Sequence, residues 1–286
     1  MGIRKGVMVV QGNNYNLRPL WDAMLEIYEE IRKVCVLNNI EFFAAAGTLL
    51  GAVRHGGFIP WDDDMDLFFR LDQLEKFLRV APKSLPPYLH IIKWGDGSGF
   101  SFLYVKVQDM RQEKINSVRV ASGLPLSEGL FIDLFPFSGV PAHGVVASIK
   151  NAALRLRKSV ILGGRKVTLK SKVGWLVGLA LKPFFPRMRT PKDVIECQER
   201  YMHRIHSSTA SMLGFYDGDL CRHIYCCEAA WYREVKWMKF DKTEVPIPID
   251  YDKMLKVHYG DYMKLPPVEK RRVTHVDAPK ATWKID

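Results

Sequence analysis

Acidic residues crowd into one short segment of this 286-residue sequence. Residues 62–66 read DDDMD, and acid and apolar residues then alternate with the two-residue period of a β-strand. That period predicts that Asp64 and Asp66 project from the same face. Carboxylates that share a face repel each other, and a divalent cation with oxygen ligands removes the repulsion. The segment therefore predicts a metal site, with magnesium as the first candidate and manganese as the alternative.

The residues just before these acids have the composition of a phosphate-binding turn. An apolar run ends at Gly47 and Thr48, and the next residues predict one or two helical turns. Gly47 allows the backbone to approach a ligand closely, and the Thr48 hydroxyl and the first helical amides can face a phosphate. Arg54 and His55 add positively charged donors nearby. Phosphate contacts and metal-binding acids on consecutive strands are the arrangement that phosphoryl transfer requires.

Three segments together resemble one known family. The sequences GTLLGAVRHGGFIPWDDDMDL from Gly47, FIDLFP from Phe131 and YGDYMKLPP from Tyr259 are similar to the LicD family of phosphocholine transferases. That family is related to the fukutin-type proteins, and both resemble the nucleotidyltransferase superfamily. The resemblance implies an α/β (α+β) fold with a nucleotidyltransferase-like mixed β-sheet flanked by helices. A mainly helical, basic extension would complete it.

The resemblance also implies an activity. A member of this family would be a CDP-choline-dependent phosphocholine transferase that modifies a sugar hydroxyl of a cell-surface glycan and releases CMP. The acceptor would be of the teichoic acid, lipopolysaccharide or capsule type and is expected to be lipid-linked. Ribitol phosphate transfer from CDP-ribitol is an alternative within the enzymes. A nucleotide-adding or nucleic-acid-binding protein is an alternative from another class, disfavoured because no RNA-binding motif of stacking aromatics with Lys and Arg is present.

Further acids complete the expected metal site. Residues 130–134 predict a short strand that carries a single carboxylate, Asp133, between apolar neighbours. In nucleotidyltransferase folds a third acid on an adjacent strand completes the metal site, and FIDLFP resembles that element. The resemblance thus implies Asp64, Asp66 and Asp133 as catalytic metal ligands, with Asp62 in support. Asp133 is the first choice for the group that takes the proton of the acceptor hydroxyl.

Other substrate contacts are assigned more loosely. Residues 89–94 and 100–107 predict a hairpin with Lys106 near its end, where the family resemblance places a substrate-proximal lysine. A solvated strand end fits the sequence equally well. The quaternary ammonium of choline suits an aromatic cage. Trp61 is our candidate beside the central motif, and the other candidates, some of which we expect in the core, are Trp94, Trp231, Tyr232 and Trp237.

Charge and cysteine content limit the setting of the protein. The net charge of +11 suits an anionic partner, whether nucleic acid, anionic lipid or a phosphorylated substrate, although it also serves solubility. The five cysteines are an odd number without regular spacing, and the first 14 residues lack the apolar stretch of a signal peptide. These features predict a cytoplasmic location.

The chain divides by character into three parts. We expect a nucleotidyltransferase-like catalytic core over residues 1–140, a helical basic region over 141–230 and a segment over 231–286 that closes the core. Apolar residues 173–181, bracketed by cations, predict peripheral contact with an anionic membrane, with an ordinary buried helix as the alternative. Residues 197–227 contain zinc-ligand types, but their irregular spacing favours buried thiols over structural zinc. The polar residues after Val268 predict a loosely held tail.

Overall fold

The computed structural model describes residues 15–98, 102–124, 126, 129–139, 180, 190–204, 206–215 and 226–273. Its first element is helix α1 (Arg18–Leu37), which buries one face over its whole length and ends at Asn38, as the apolar spacing predicts. The remaining elements of the first half follow in the order β1 (Phe43–Ala44), α2 (Ala46–His55), β2 (Asp66–Arg70), α3 (Leu71–Ser84), β3 (Leu89–Ile92), β4 (Val105–Asp109), α4 (Gln112–Ser122) and β5 (Leu130–Gly139).

The second half contributes shorter elements to the described structure. They are α5 (Pro191–Met202), β6 (Met212–Gly214), β7 (Cys226–Glu228), a 3-10 helix (Ala229–Tyr232), β8 (Val235–Phe240), β9 (Thr243–Pro248), α6 (Tyr251–Tyr259) and a last 3-10 helix (Val268–Lys270). Gly260 follows the last residue of helix α6 and has φ 64°. A glycine tolerates that backbone conformation without steric cost.

One mixed sheet organises the described residues. Its strands lie in the order β1-β2-β5-β4-β3, and β6 and β7 continue from the far end of β5. Strands β2 and β5 are parallel, whereas the other neighbours are antiparallel. Helix α1 packs against β5, and α3 packs against β2 and β5. This architecture confirms the predicted mixed sheet flanked by helices.

Strand β2 differs from its prediction in two respects. It begins at Asp66, so Asp64 lies in the preceding loop and not in the strand. Its three central residues are all buried, Leu67, Phe68 and Phe69, so the alternation of acid and apolar residues does not continue along it. The reason is its central place in the sheet, where both faces of a strand are covered by other elements.

The C-terminal elements pack onto the first half of the chain. The β8–β9 hairpin is tied to α1 by the Tyr28 hydroxyl, which donates a hydrogen bond of 2.7 Å to the Glu244 carbonyl. Tyr232 meets Phe43 edge to face at 4.8 Å between ring centroids. The proposed division of the chain at residues 140 and 230 stays a prediction, and the predicted membrane segment at 173–181 lies outside the described residues. In the ranges that are described, no helix is long and apolar enough to cross a membrane.

The predicted loose tail is wrong as far as Val273. That side chain is 2 % exposed and belongs to the hydrophobic core. Arg271 donates a hydrogen bond of 2.8 Å to the Pro266 carbonyl, which holds the segment against its own turn. Burial of the Val273 side chain contributes about 1.5–3 kcal/mol towards holding this segment in place.

The cysteines of the predicted zinc alternative are only partly described. Cys226 and Cys227 are buried, and burial raises the pKa of the Cys227 thiol to about 12. His203 lies 3.6 Å from Glu75, and His206 shares a hydrogen bond of 2.7 Å with Ser208. Cys221 and His223 lie outside the described residues.

Candidate active site

Three strands bring charged side chains together at one level of the sheet. The register pairs Asp66 with Asp133 across β2 and β5, and Asp133 with Lys106 across β5 and β4. Directly paired residues project from the same face, on strands about 4.8 Å apart. Asp66, Asp133 and Lys106 therefore form one line across the sheet, which we call the charged row. Within it, Lys106 Nζ lies 2.9 Å from Asp133 Oδ1.

Lys106 is a buried cation and not a solvated strand end. Lys106 is 7 % exposed. Strand β4 runs from Val105 to Asp109, so Lys106 lies near the start of the strand and not at its end. The ammonium lies over the Phe131 ring at 3.4 Å from the centroid and over the Tyr104 ring at 5.4 Å. Aromatic faces stabilise a cation that has left water. The solvated alternative from the sequence is thus wrong.

Helix α2 holds the backbone of Asp66. The Asp66 amide donates a hydrogen bond of 2.9 Å to Thr48 Oγ1, and the Asp66 carbonyl accepts one of 3.0 Å from the Ala45 amide. Thr48 is buried, so its hydroxyl oxygen joins the first turn of α2 to the first residue of β2. The predicted contact of Thr48 with a phosphate stays a prediction, as does that of the α2 amides.

Asp66 lies in a strongly negative environment. Burial raises the pKa of Asp66 well above its usual range, and the neighbouring charges of Asp64, Asp133 and Asp62 raise it further. Only Lys106 acts in the opposite direction among the named neighbours. Like charges at close range favour the protonated carboxyl group. The charges of the other three predicted acids therefore all act on Asp66, although Asp64 precedes the strand.

The chemistry of these donors fits magnesium, which binds carboxylate oxygens and relieves repulsion between them. In the described parts of the chain, no three His, Cys, Asp or Glu side chains are already arranged as a coordination group. Within the charged row, an oxygen of Asp133 accepts a hydrogen bond from the Lys106 ammonium. The assignment of Asp62, Asp64, Asp66 and Asp133 to a metal thus stays a prediction.

Gly47 lies against the Asp62 side chain, whereas the sequence predicts only an approach to a phosphate ligand. A β-carbon built on Gly47 would lie 2.4 Å from Asp62 Oδ2, so the Asp62 carboxylate would have to move to make room for it. Asp62 is also fixed from the other side, because the Trp21 indole donates a hydrogen bond of 2.8 Å to its carbonyl. Trp21 in turn stacks on Phe58 at 5.3 Å. Asp63, which the sequence places in solvent, is half-buried.

The predicted cationic donors lie at the other end of α2. Arg54 and His55 occupy its last turn, about 10 Å along the helix axis from Gly47 at 1.5 Å per residue. Arg54 Nη1 donates a hydrogen bond of 2.8 Å to the Tyr262 carbonyl, and Arg54 Nε donates to His55 Nδ1 at 3.4 Å. Burial lowers the pKa of His55, and the Arg54 charge lowers it further. The phosphate turn expected from the sequence is therefore split between the two ends of one helix.

Trp61 joins these cations to the C-terminal segment. His55 meets its ring edge to face at 6.2 Å, and the Arg271 guanidinium carbon lies 5.6 Å from its centroid. We call Arg54, His55, Trp61 and Arg271 the Trp61 cluster. Of the other aromatic candidates for a choline cage, Trp231 and Tyr232 are buried in the core, which makes them wrong for that role.

Trp21 and Arg271 are the neighbours of the site that the sequence does not reveal. Trp21 has the helical spacing of a core residue, and only its indole hydrogen bond links it to the acidic loop. Arg271 stands in a polar stretch that resembles a tail. Neither carries a local signal, because each reaches the site through contacts with residues distant in sequence.

The mixed sheet flanked by helices and the acids around Asp66 can be compared with known proteins. Residues 39–153 match the family described as LicD/FKTN/FKRP, nucleotidyltransferase domain. This match confirms the resemblance to the LicD family seen in the sequence. The matched range contains the whole charged row and Trp61, whereas Arg271 lies beyond it.

Individual relatives extend this match. Over 258 residues the chain is 24% identical to the lipopolysaccharide cholinephosphotransferase LicD of Haemophilus influenzae, an alignment that covers 88% of this chain and 93% of that protein. An uncharacterized protein of Rickettsia typhi is 34% identical over 61 residues, 21% of this chain and 20% of its own length. An uncharacterized Rickettsia prowazekii protein is 42% identical over 45 residues, 16% and 17% of the two chains.

Proposed function

We propose that the protein transfers phosphocholine from CDP-choline to a sugar hydroxyl of a cell-surface glycan and releases CMP. The observation that carries this proposal is the register that sets Asp66 beside Asp133 within a LicD-family domain. Support for the transferred group and for a glycan acceptor comes from the Haemophilus influenzae relative, which is named a lipopolysaccharide cholinephosphotransferase. The net charge of +11 suits a reaction between phosphorylated partners.

The reaction moves one phosphorus between two oxygens. The acceptor hydroxyl oxygen bonds to the phosphorus that bears choline, and the bond from that phosphorus to the bridging diphosphate oxygen breaks. CMP leaves with the bridging oxygen, and the hydroxyl proton passes to a carboxylate. Asp133 is our candidate for that proton acceptor. The Lys106 ammonium at 2.9 Å favours its charged form, which a proton acceptor must have before the reaction.

The acids around Asp66 would hold a divalent ion. Asp64, Asp66 and Asp133 are the proposed ligands, Asp62 supports them, and magnesium is preferred to manganese. When bound, such an ion neutralises charge on the diphosphate and on the departing nucleotide. For the protein itself, the task is to keep four carboxylates within reach of one another. Thr48 and Ala45 contribute by fixing the Asp66 backbone.

Phosphate contacts are proposed at both ends of α2. The amides at Gly47 and Thr48 lie in its first turn, where backbone N–H groups are available to anions. Arg54 and His55 lie in its last turn, and Lys106 lies in the charged row. We further propose a lipid-linked acceptor met at the cytoplasmic face of a membrane. The basic segment that would rest on that surface lies outside the described residues.

Substitution of one acid tests the proposal. Asp66→Asn keeps the shape of the side chain and removes its charge, so we expect magnesium-dependent CMP release from CDP-choline to fall at least about a hundredfold. Asp63→Asn is the matched control, because Asp63 belongs to the same acidic segment but is not one of the proposed metal ligands. Circular dichroism and thermal unfolding of both variants verify the fold. Unchanged turnover in Asp66→Asn and in Asp64→Asn would contradict the metal assignment.

A donor screen tests the transferred group. CDP-choline, CDP-ribitol and CDP-glycerol share the nucleotide and differ only in the alcohol, so CMP release compares them directly. We expect the highest kcat/KM with CDP-choline. A preference for CDP-ribitol would retain the phosphotransfer chemistry and replace choline by ribitol as the transferred alcohol.

A further inference from the structure

Two arginines from distant parts of the chain are connected through His55 and Trp61. Arg54 comes from the last turn of α2, and Arg271 follows the last 3-10 helix. Each is oriented by a backbone carbonyl of the C-terminal segment, Arg54 by Tyr262 and Arg271 by Pro266, both at 2.8 Å. Both side chains are half-buried. Their positions are therefore set by the fold and not by solvent.

Trp61 lies against this pair and orients it. The Arg271 guanidinium lies over the indole ring at 5.6 Å, while His55, which accepts from Arg54 Nε, approaches the ring at its edge. An indole face attracts a nearby cation. In this structure an arginine of the chain itself lies over the ring, so Trp61 helps to position Arg271.

Among the described residues, the contacts of Arg54 and Arg271 are with two backbone carbonyls, a histidine and an indole, and none of these is a carboxylate. Burial lowers the pKa of Arg54, and the charge of Arg271 lowers it further. Asp62 and Tyr259 are the neighbours that act in the opposite direction. Half-buried cations that face each other repel, and an anion between them removes the cost. A planar guanidinium offers a fork of donors that matches two oxygens of a phosphate group.

We propose that Arg54 and Arg271 form a phosphate-binding site on the Asp62 side of the charged row. The site receives a phosphate group of one of the two reactants, and that assignment rests on the proposed function. The source is either the diphosphate of the nucleotide donor or a phosphate carried by the glycan acceptor. Arg271 thereby makes the C-terminal segment, which lies outside the matched family range, part of the binding site.

Direct binding of inorganic pyrophosphate, measured by calorimetry without metal, tests the site independently of any turnover. We expect Arg271→Gln to weaken binding about tenfold, the typical effect of losing charge-assisted hydrogen bonds. Arg272→Gln is the matched control, because the neighbouring arginine is exposed, and it should leave the affinity unchanged. Arg271→Lys keeps the charge but loses the fork, so an intermediate affinity is expected.

Steady-state kinetics then identify the source of the phosphate. If Arg271→Gln raises KM for CDP-choline alone, the donor diphosphate occupies the site, and if it raises KM for the acceptor alone, a glycan phosphate does. Equal pyrophosphate affinity in the wild type, Arg271→Gln and Arg54→Lys would overturn the proposal, as would the absence of binding to the wild type. Loss of the proposed function would show separately, as binding of pyrophosphate without CMP release from any donor.

Discussion

The charged row and the Trp61 cluster lie near each other but are built differently. The row stands on three neighbouring strands, whose backbone hydrogen bonds set Asp66, Asp133 and Lys106 side by side. The cluster combines a helix end, a loop and the C-terminal segment through single contacts of 2.8–6.2 Å. Strand register leaves little freedom, whereas side-chain contacts between loops depend on all the packing around them.

This difference separates the functions that the two regions can serve. Rigid strands suit acids that must hold a fixed mutual geometry for chemistry. Arginines at a helix end and in the C-terminal segment suit the recognition of a group that arrives from solvent and leaves again. Substitutions in the charged row, in α2 and in α6 test this difference between the two regions.

The largest expected effect comes from the charged row. Lys106→Met removes the buried cation and leaves Asp133 among acids without that ion pair, so we expect a loss of about 3 kcal/mol in the free energy of unfolding. Denaturant unfolding measures it. Lys239→Met, at an exposed strand position, is the control and should change stability by less than about 0.5 kcal/mol.

A double variant sharpens the same test. Adding Asp133→Leu to Lys106→Met removes both charges, and much of the lost stability should return, because an apolar pair is often no worse than a buried ion pair. If the double variant loses as much stability as the two single variants added together, Lys106 and Asp133 do not stabilise each other and the expectation is wrong.

Two glycines in α2 distinguish the geometry of the site from the stability of the fold. Gly47→Ala places a methyl group 2.4 Å from the Asp62 carboxylate, and we expect CMP release to fall about tenfold because Asp62 must move, with stability changed by less than about 1 kcal/mol. Gly51→Ala places the methyl group 2.5 Å from the Gly57 carbonyl oxygen. A backbone carbonyl moves less easily than the end of the Asp62 side chain. We expect that variant to lose about 1–3 kcal/mol of stability and to retain activity per folded molecule.

Thermal unfolding and specific activity of both glycine variants provide the measurement. The two substitutions are chemically identical and lie one helical turn apart, so each is the control for the other. Equal losses of activity in the two would show that Asp62 has no special part in the site.

The smallest expected effect is on the pH dependence of thermal stability, and it concerns His258 in helix α6. Burial lowers the pKa of His258 in α6, and its Nε2 has no hydrogen-bond partner within the described structure. The folded state thus favours the neutral ring, so its stability is complete above the ordinary pKa of about 6.5 and declines as pH falls through the lower folded pKa. Tm measured from pH 7.5 to 5 should fall in the wild type.

His258→Phe should flatten that decline, because phenylalanine has no proton to take up. His90→Phe, at an exposed position of β3, should leave the wild-type profile unchanged. A His258→Phe profile as steep as that of the wild type would assign the acid sensitivity to other groups.

Much of the sheet could be predicted from local patterns. Helices α1 and α6 and the strand that carries Asp133 follow from apolar spacing and from the residues that end them. The extent of β2 and its burial on both faces could not be predicted in this way, because a central strand is recognised only once its neighbours are known. Pairing of Lys106 with Asp133 was invisible for the same reason, since register is a property of two strands.

The sequence alone determined that acids gather beside a glycine turn and a predicted strand, because these features lie within 22 residues of one another, from Gly47 to Phe68, and follow local periodicity. Only the tertiary structure decided which residues contact these acids and their neighbours. In it, buried Lys106 pairs with Asp133, the Trp21 indole donates to the Asp62 carbonyl, and Arg271 of the supposed tail lies over the Trp61 ring. Such contacts join residues far apart in the chain, and their geometry follows from the packing of the whole core.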